Sequence, residues 1–311
     1  MTNRALVADP THPVTMREAE VPEPTADSRH VVIEVHHASL NHGDLNDATS
    51  GRISPGGVLG SDVAGIVTQA ATNGSGPAVG ARVVALAVGG FAERVAVDVD
   101  SVAVVPNGVQ LSVASGLPVA GLAALRTLRA SGSVLGRRVL VTGASGGVGS
   151  FAIQLAAASG AYVVASVGSV DRGENLRDLG ASEVVVALEG VVDPVDVVID
   201  SVGGSLLARA WTLLAQGGIL QSVGWTSEEQ AVLEPYATVG PGKTLSSYLT
   251  VGPVGSDLQV LVDLVADGVL SVPVGWQGEW GRITEATEAL RGRAVSGKAI
   301  LDFAGGLGVN G

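Results

Sequence analysis

From residue 1 to about 117, apolar and polar positions alternate over short runs: HVVIEVHHASL, VAGIVTQA, ARVVALAV and FAERVAVD. A period of two marks half-buried strands. Turn-rich stretches such as GSGPAVG separate the runs, so this zone predicts a β-rich module with hairpins. The composition then shifts to LSVASGLPVAGLAALRTLRASG, an Ala- and Leu-rich segment of helical character. From about residue 138 the rhythm changes again. RRVLVTG predicts a strand, VGSFAIQLAAASG a helix, AYVVASVG a strand and GENLRDLG a helix. EVVVA, VDVVID and GGILQSVG predict further strands, with the helix SLLARAWTLLAQ between the last two. Strands alternating with helices imply a parallel, doubly wound sheet, an α/β class. After Val251 come two amphipathic helices, SDLQVLVDLVADG and ITEATEALRGRA, and a last strand, KAILDF.

Length and composition narrow the picture. The 311 residues suggest two domains on a prior of about 150 residues each. With 46% apolar and 15% charged residues a large core is available, and 3% aromatics means that Val, Leu and Ala must build it. The formal charge of −12 argues against a nucleic-acid partner, which would need a basic face. The chain has no cysteine, which excludes disulfides, thiolate catalysis and Cys-ligated zinc. The start, MTNRALVADPTHP, has no apolar stretch typical of a secretory signal, so a cytoplasmic protein is expected. The end, AGGLGVNG, reads as a flexible tail.

Val139–Val170 carries no charge and is long enough to span a membrane. The cluster GASGGVGS in its middle argues otherwise, because each glycine weakens a helix by roughly 1 kcal/mol. A buried parallel sheet with covering helices also produces such runs, and no membrane partner is expected.

Within this stretch the strand VLVTG runs into Ala144, Ser145, Gly146, Gly147, Val148 and Gly149, and then a helix. The pattern is A-x-G-x-x-G, the dinucleotide fingerprint with Ala144 in place of its first glycine. Gly146 would let the backbone approach a pyrophosphate on the helix N-terminus, and Gly149 would let helix and strand pack closely. The short-chain dehydrogenase pattern also fits Thr142, Gly143, Gly147 and Gly149, but requires a Tyr-x-x-x-Lys. Tyr162, Tyr236 and Tyr248 are followed at that spacing by Ser166, Gly240 and Gly252, so that family is excluded.

An NAD site ends its second strand with an acid that holds the ribose 2′-OH. Here the strand ends at Ser166 to Gly168 without one, and Ser169 and Arg172 follow, suited to a 2′-phosphate. NADPH is therefore the expected cofactor. Two alternatives stay open: Arg172 as the start of a solvated helix, and Asp171 as an NAD ligand.

These residues carry a resemblance that extends along nearly the whole chain. HHASLNHGDL, VLGSDVAGIV, PVAGLAALRTL, GGILQSVG and VSGKAIL resemble, in order, segments of the zinc-independent medium-chain dehydrogenase/reductases, close to the quinone oxidoreductases. The resemblance implies a GroES-like catalytic domain from residues 1–117 and 254–311, and a Rossmann domain from 118–253. It also implies a substrate cleft, and homodimers or homotetramers with a strand such as TLSSYLTV pairing across the interface.

The departures bear on chemistry. Zinc alcohol dehydrogenases would carry Cys at the Asn41 position and Gly-His-Glu at Gly60, Ser61 and Asp62. All five histidines fall at positions 12, 30, 36, 37 and 42, and His36 and His37 should face opposite sides of a strand. No metal is expected. The family's tyrosines near Asn46 and Ile53 are missing, and its threonine near the nicotinamide is Ala123.

The catalytic candidates are thus Asn41 as a hydrogen-bond donor to developing enolate charge, His42 as a proton source and Asp44 by motif, with a helix cap the plainer role for Asp44. Asn41, Val202, Gly224 and Trp225 join the glycine loop and Ser166, Ser169 and Arg172 as expected cofactor contacts, although Trp225 could equally be a packed core residue. The chemistry implied is hydride transfer from NADPH to a quinone or enone. A zinc-free NADP-dependent alcohol dehydrogenase and a nucleotide-binding protein with little turnover are the alternatives.

Overall fold

A computed structural model describes residues 2–240 and 242–303, and the chain divides into two units. One unit runs through Leu122 and takes in Val251–Gly268 and the chain from Val272; the other is Ala123–Thr250 with Val269–Ser271. The first unit thus includes 118–122 and 251–253, and residues 269–271 go to the second.

In the first unit the alternating runs become a seven-stranded sheet. Its order is Val274–Glu279, Lys298–Asp302, His30–Leu40, Asp62–Gln69, Arg82–Leu86 and Val102–Val104, with Arg94–Asp98 also paired to His30–Leu40. Val31, Ile33 and Val35 of the long strand point into a core shared with Val63, Val83 and Leu301. The register slips between Val35 and His37, leaving His36 as a bulge residue. His37 instead meets Asp302 on the neighbouring strand, Nδ1 to Oδ1 at 2.8 Å. The helix His42–Thr49 follows the long strand almost at once, and the last strand lies against the same strand's end.

The second unit is a six-stranded parallel sheet in the order Glu183–Val186, Tyr162–Val167, Arg138–Thr142, Val195–Asp200, Leu214–Ser222 and Thr244–Ser247. Counted along the chain within the unit this is 3-2-1-4-5-6, the doubly wound order. Its direction reverses between Arg138–Thr142 and Val195–Asp200. Ligands of such sheets bind outside the carboxyl ends of the strands at that reversal. Thr244–Ser247 forms one edge of the sheet, with Leu245 and Leu249 exposed.

Two expectations change. GENLRDLG forms no helix: Asp171–Gly173 is a single 3₁₀ turn and residues 174–180 continue as turns. The bonds Gly173 N to Val170 O, Leu176 N to Gly173 O and Gly180 N to Arg177 O span three residues, and Gly180 takes a left-handed φ of +104°. The Ala- and Leu-rich segment is two helices, Leu111–Ala114 and Pro118–Ala130. Pro118 disfavours helical conformation in the residue before it but suits a first helical turn. The AGGLGVNG tail lies outside the described residues. Among the described residues no helix is long and apolar enough to cross a membrane.

Candidate functional site

The reversal point of the second unit is built from strand ends. Thr142 closes the first strand and Asp200 the fourth, and the Thr142 hydroxyl donates to Asp200 Oδ1 across the gap at 2.5 Å. Asp200 also accepts from Gly203 N at 2.9 Å, which fixes the turn after its strand. Burial pushes its carboxyl above the ordinary range.

After Thr142 the chain turns through Gly143 in a left-handed conformation, φ +59°, and enters the helix Gly147–Ala158 with Gly146 as N-cap. Gly149 makes the close approach possible: a Cβ there would lie 2.4 Å from Gly143 O and 2.7 Å from Ala144 Cα. Ala144 is buried and donates its N–H to Ser166 O at 3.1 Å, linking the loop to the neighbouring strand end. Ser166 Oγ, at that strand end, and Ser201 Oγ, just after Asp200, are buried without a hydrogen-bond partner among the described residues.

Arg172 extends from the 3₁₀ turn beyond the second strand, and its Nε donates to Ser145 Oγ at 2.9 Å. Ser169 lies in the same loop, and its hydroxyl bonds the exposed Asp171 carboxylate and helps to hold that group below the usual range. Trp225 is 45% exposed rather than packed in the core. Its ring lies against Gly203, where a Cβ would come within 2.5 Å, and its Nε1 donates to Glu229 O at 2.6 Å. Ser227 N bonds Val202 O at 2.9 Å, and a Cβ on Gly224 would sit 3.1 Å from Ser201 O. Thus Ala144, Ser145, Gly146, Gly147, Val148, Ser166, Arg172, Val202, Gly224 and Trp225 all belong to the carboxyl-end loops and strand ends of this sheet.

The first unit holds a second cluster around Asn41, Asp44, Asp62 and Lys298. Asn41 precedes the helix His42–Thr49, and its backbone N–H donates to Asp44 Oδ2 at 2.8 Å. Asp44 therefore has the capping role. The Asn41 amide is not available to a substrate: Nδ2 donates to Ser39 O at 3.1 Å and to Asp62 Oδ2 at 2.9 Å, while Oδ1 accepts from Lys298 Nζ at 2.6 Å. The donor role expected for Asn41 is corrected on that ground. His42 is exposed in the helix's first turn.

Asp62 also accepts from Lys298 Nζ at 3.2 Å and from Val119 N at 2.8 Å. Ser61 donates to Asp44 Oδ1 at 3.0 Å. Lys298 and Asp200 escaped the sequence reading, although each is a buried charge at one end of a largely apolar strand.

Burial, together with the neighbouring Asp62 charge, pushes the Asp44 carboxyl up to about 7. A carboxyl raised above its unfolded value favours the folded state below about pH 4, and that contribution is lost as pH rises through about 7. Asp44→Asn removes the titration. The variant should gain about 2 kcal/mol relative to the parent between pH 5 and pH 8, measured by urea unfolding at both pH values. An unchanged difference would contradict the assignment.

Comparison with known proteins agrees with this architecture. Residues 27–107 match the alcohol dehydrogenase GroES-like domain and residues 147–267 the zinc-binding dehydrogenase family. A low-reducing polyketide synthase of Aspergillus calidoustus is 33% identical over 67% of this chain, which spans only 9% of that protein. A probable zinc-binding oxidoreductase, mitochondrial, of Arthroderma benhamiae is 28% identical over 96% of both chains. The quinone oxidoreductase of Coxiella burnetii superposes with TM-score 0.86 at 24% identity, over 97% of this chain and all of its own. A mycobacterial protein complexed with NADPH superposes with TM-score 0.86 at 23% identity, over 96% of this chain and 100% of its own. The chain belongs to the medium-chain dehydrogenase/reductase superfamily.

Two groups implied by this superfamily can be tested against the residues present. A zinc ion does not fit. No group of three His, Cys, Asp or Glu among the described residues could hold a metal, and the Lys298 ammonium already lies on Asp62. A nicotinamide dinucleotide does fit the second unit, with its glycine turn at a helix N-terminus, two unpartnered buried hydroxyls and a guanidinium at the loop.

Proposed function

We propose that this chain is an oxidoreductase that uses NADPH to reduce a quinone or an α,β-unsaturated carbonyl compound without a metal ion. The observation that carries the reading is Arg172 placed on Ser145 beside a second strand that ends without an acid. NADPH, when bound, supplies the hydride. Gly146 and the first N–H groups of the helix Gly147–Ala158 would receive the pyrophosphate, with the helix dipole favouring its charge. Arg172 would neutralise the 2′-phosphate, and Ser166 and Ser201 offer hydroxyls to the ribose and its neighbours. Val202, Gly224 and Trp225 would wall the nicotinamide end.

The acceptor class is chosen to suit the residues present, which offer no zinc ligand set among the described residues and place the Lys298 ammonium on Asp62. A conjugated acceptor spreads the charge created by hydride addition, so hydrogen bonds alone can stabilise it. Within the first unit the Asn41 amide holds Asp62 and Lys298 in place. The fold shared with the NADPH-complexed mycobacterial protein supports a nicotinamide dinucleotide as the cofactor.

Cofactor titrations test the proposal. A charge-assisted contact contributes about 1.5–3 kcal/mol, so Arg172→Ala should weaken NADPH binding by roughly 10- to 150-fold and leave NADH nearly unchanged. Tighter binding of NADH than NADPH by the unsubstituted protein would overturn it.

A further inference from the structure

Val192, Pro194, Leu213 and Lys243 line a recess of about 430 Å³ in the second unit. It lies at the amino ends of three neighbouring strands, Val195–Asp200, Leu214–Ser222 and Thr244–Ser247, because Pro194, Leu213 and Lys243 each immediately precede one of them. The glycine turn and the loops proposed for NADPH follow the carboxyl ends of the same sheet. The six residues of Val195–Asp200 separate the two ends by roughly 20 Å, at about 3.3 Å per residue. The recess is therefore no part of the coenzyme site.

Its one charged side chain is Lys243. Lysine is scarce in this chain, which has only Lys243 and Lys298, and Lys298 is buried and paired with Asp62. Lys243 is half-buried, and its Nζ donates to Trp211 O at 3.0 Å. That bond caps the end of the helix Gly204–Leu213, where a cation suits the dipole. It uses one of the ammonium's three donors, and no carboxylate among the described residues pairs with Lys243. Asp193, between Val192 and Pro194 in the chain, does not line the recess and lies 4.0 Å from the Arg138 guanidinium instead.

Capping accounts for the position of the lysine but not for the apolar side chains left open around it. Val192 is 87% exposed, and Pro194 and Leu213 are uncovered in part. An apolar wall beside a cation with two free donors complements a molecule that carries a hydrocarbon body and an anionic end. The volume lies within the roughly 300–1,000 Å³ of small-molecule sites.

We propose that this recess binds a small aliphatic carboxylate, with its chain against Val192, Pro194 and Leu213 and its carboxylate on Lys243. The exposed Gln216 amide, also at the recess, offers a further donor to the same oxygens. The inference does not depend on the reductase reading, because the site needs neither NADPH nor an acceptor.

The test uses octanoate and the intact protein. Calorimetric titration should give a dissociation constant on the order of 1 mM, the affinity that ten non-hydrogen atoms bring at ordinary efficiency. Octanamide keeps the chain without the charge, and acetate and inorganic phosphate keep a charge without the chain. Each should bind at least roughly fivefold more weakly, equivalent to about 1 kcal/mol for a partly exposed ion pair. Mass spectrometry after brief treatment with N-acetoxysuccinimide locates the site. Lys243 should be acetylated and Lys298 spared, and saturating octanoate should protect Lys243 where octanamide does not. Lys243→Met should weaken octanoate to the level of octanamide. Because that variant also loses the helix cap, Val192→Asp is the second one: it sets a like charge beside the carboxylate at an exposed position. It should melt at the parental temperature and bind octanoate at least roughly fivefold more weakly. Octanamide or phosphate binding as tightly as octanoate, unprotected Lys243, or parental affinity in Val192→Asp would overturn the inference. So would no detectable binding of octanoate at about 10 mM, ten times the expected constant.

Discussion

Lys298→Met is expected to destabilise the first unit by about 3–5 kcal/mol, the usual effect of removing one partner from a buried ion pair. Methionine keeps most of the stem's volume but supplies no donor. Asp62, fully buried, would then retain only Asn41 Nδ2 and Val119 N, and Asn41 Oδ1 would lose its partner. The double variant Lys298→Met with Asp62→Asn removes the stranded charge and should recover a large part of the loss. Urea unfolding followed by circular dichroism reads both numbers. A single variant within about 1 kcal/mol of the parent, set against the 3–5 expected, would mean that the cluster is far wetter than its burial implies.

Gly149→Ala should damage folding and cofactor binding together. The added Cβ would meet Gly143 O at 2.4 Å and the Ala144 Cα and O at 2.7 Å. These are backbone atoms of the loop itself, so no side chain can move aside. The helix must shift away from the strand end, at a cost of about 1–3 kcal/mol or more, and the N–H groups at its start leave their places. Gly146→Ala is the informative contrast. Its Cβ would touch only Gly143 O at 3.2 Å, at an ordinary φ of −81°. That variant should melt at nearly the parental temperature and yet bind NADPH at least roughly tenfold more weakly, a loss of about 1.4 kcal/mol, because the methyl group stands where the pyrophosphate approaches. Equal melting temperatures for both variants would remove the distinction between a packing glycine and a contact glycine.

The parts legible in the sequence were those set by neighbours along the chain. The runs VLVTG and VDVVID became adjacent strands at the reversal of the sheet because unbroken apolar runs demand burial on both faces. Arg172 and Ser145 are 27 residues apart, separated by one helix and one strand, so their meeting follows from the local motif. GENLRDLG misled because its charged and apolar spacing suits a helix, while Gly173 and Gly180 favour turns. The buried cluster was illegible for another reason. Lys298 reaches Asn41 across 257 residues, and only the pairing of the last strand with His30–Leu40 brings the two together. Asn41 looked like a donor awaiting a substrate because the lysine that occupies its oxygen could not be seen from its own segment.

The turns that replace a helix after the second strand have a consequence for how this molecule can change. Ser169, Asp171 and Arg172 sit in backbone that belongs to neither the sheet ladder nor a regular helix. Residues in such segments can be exchanged without removing a ladder bond or a helical turn. On the proposed reading of this loop, coenzyme choice rests on residues outside the sheet's hydrogen-bond ladder, so a few tolerated substitutions there would exchange one nicotinamide pool for the other.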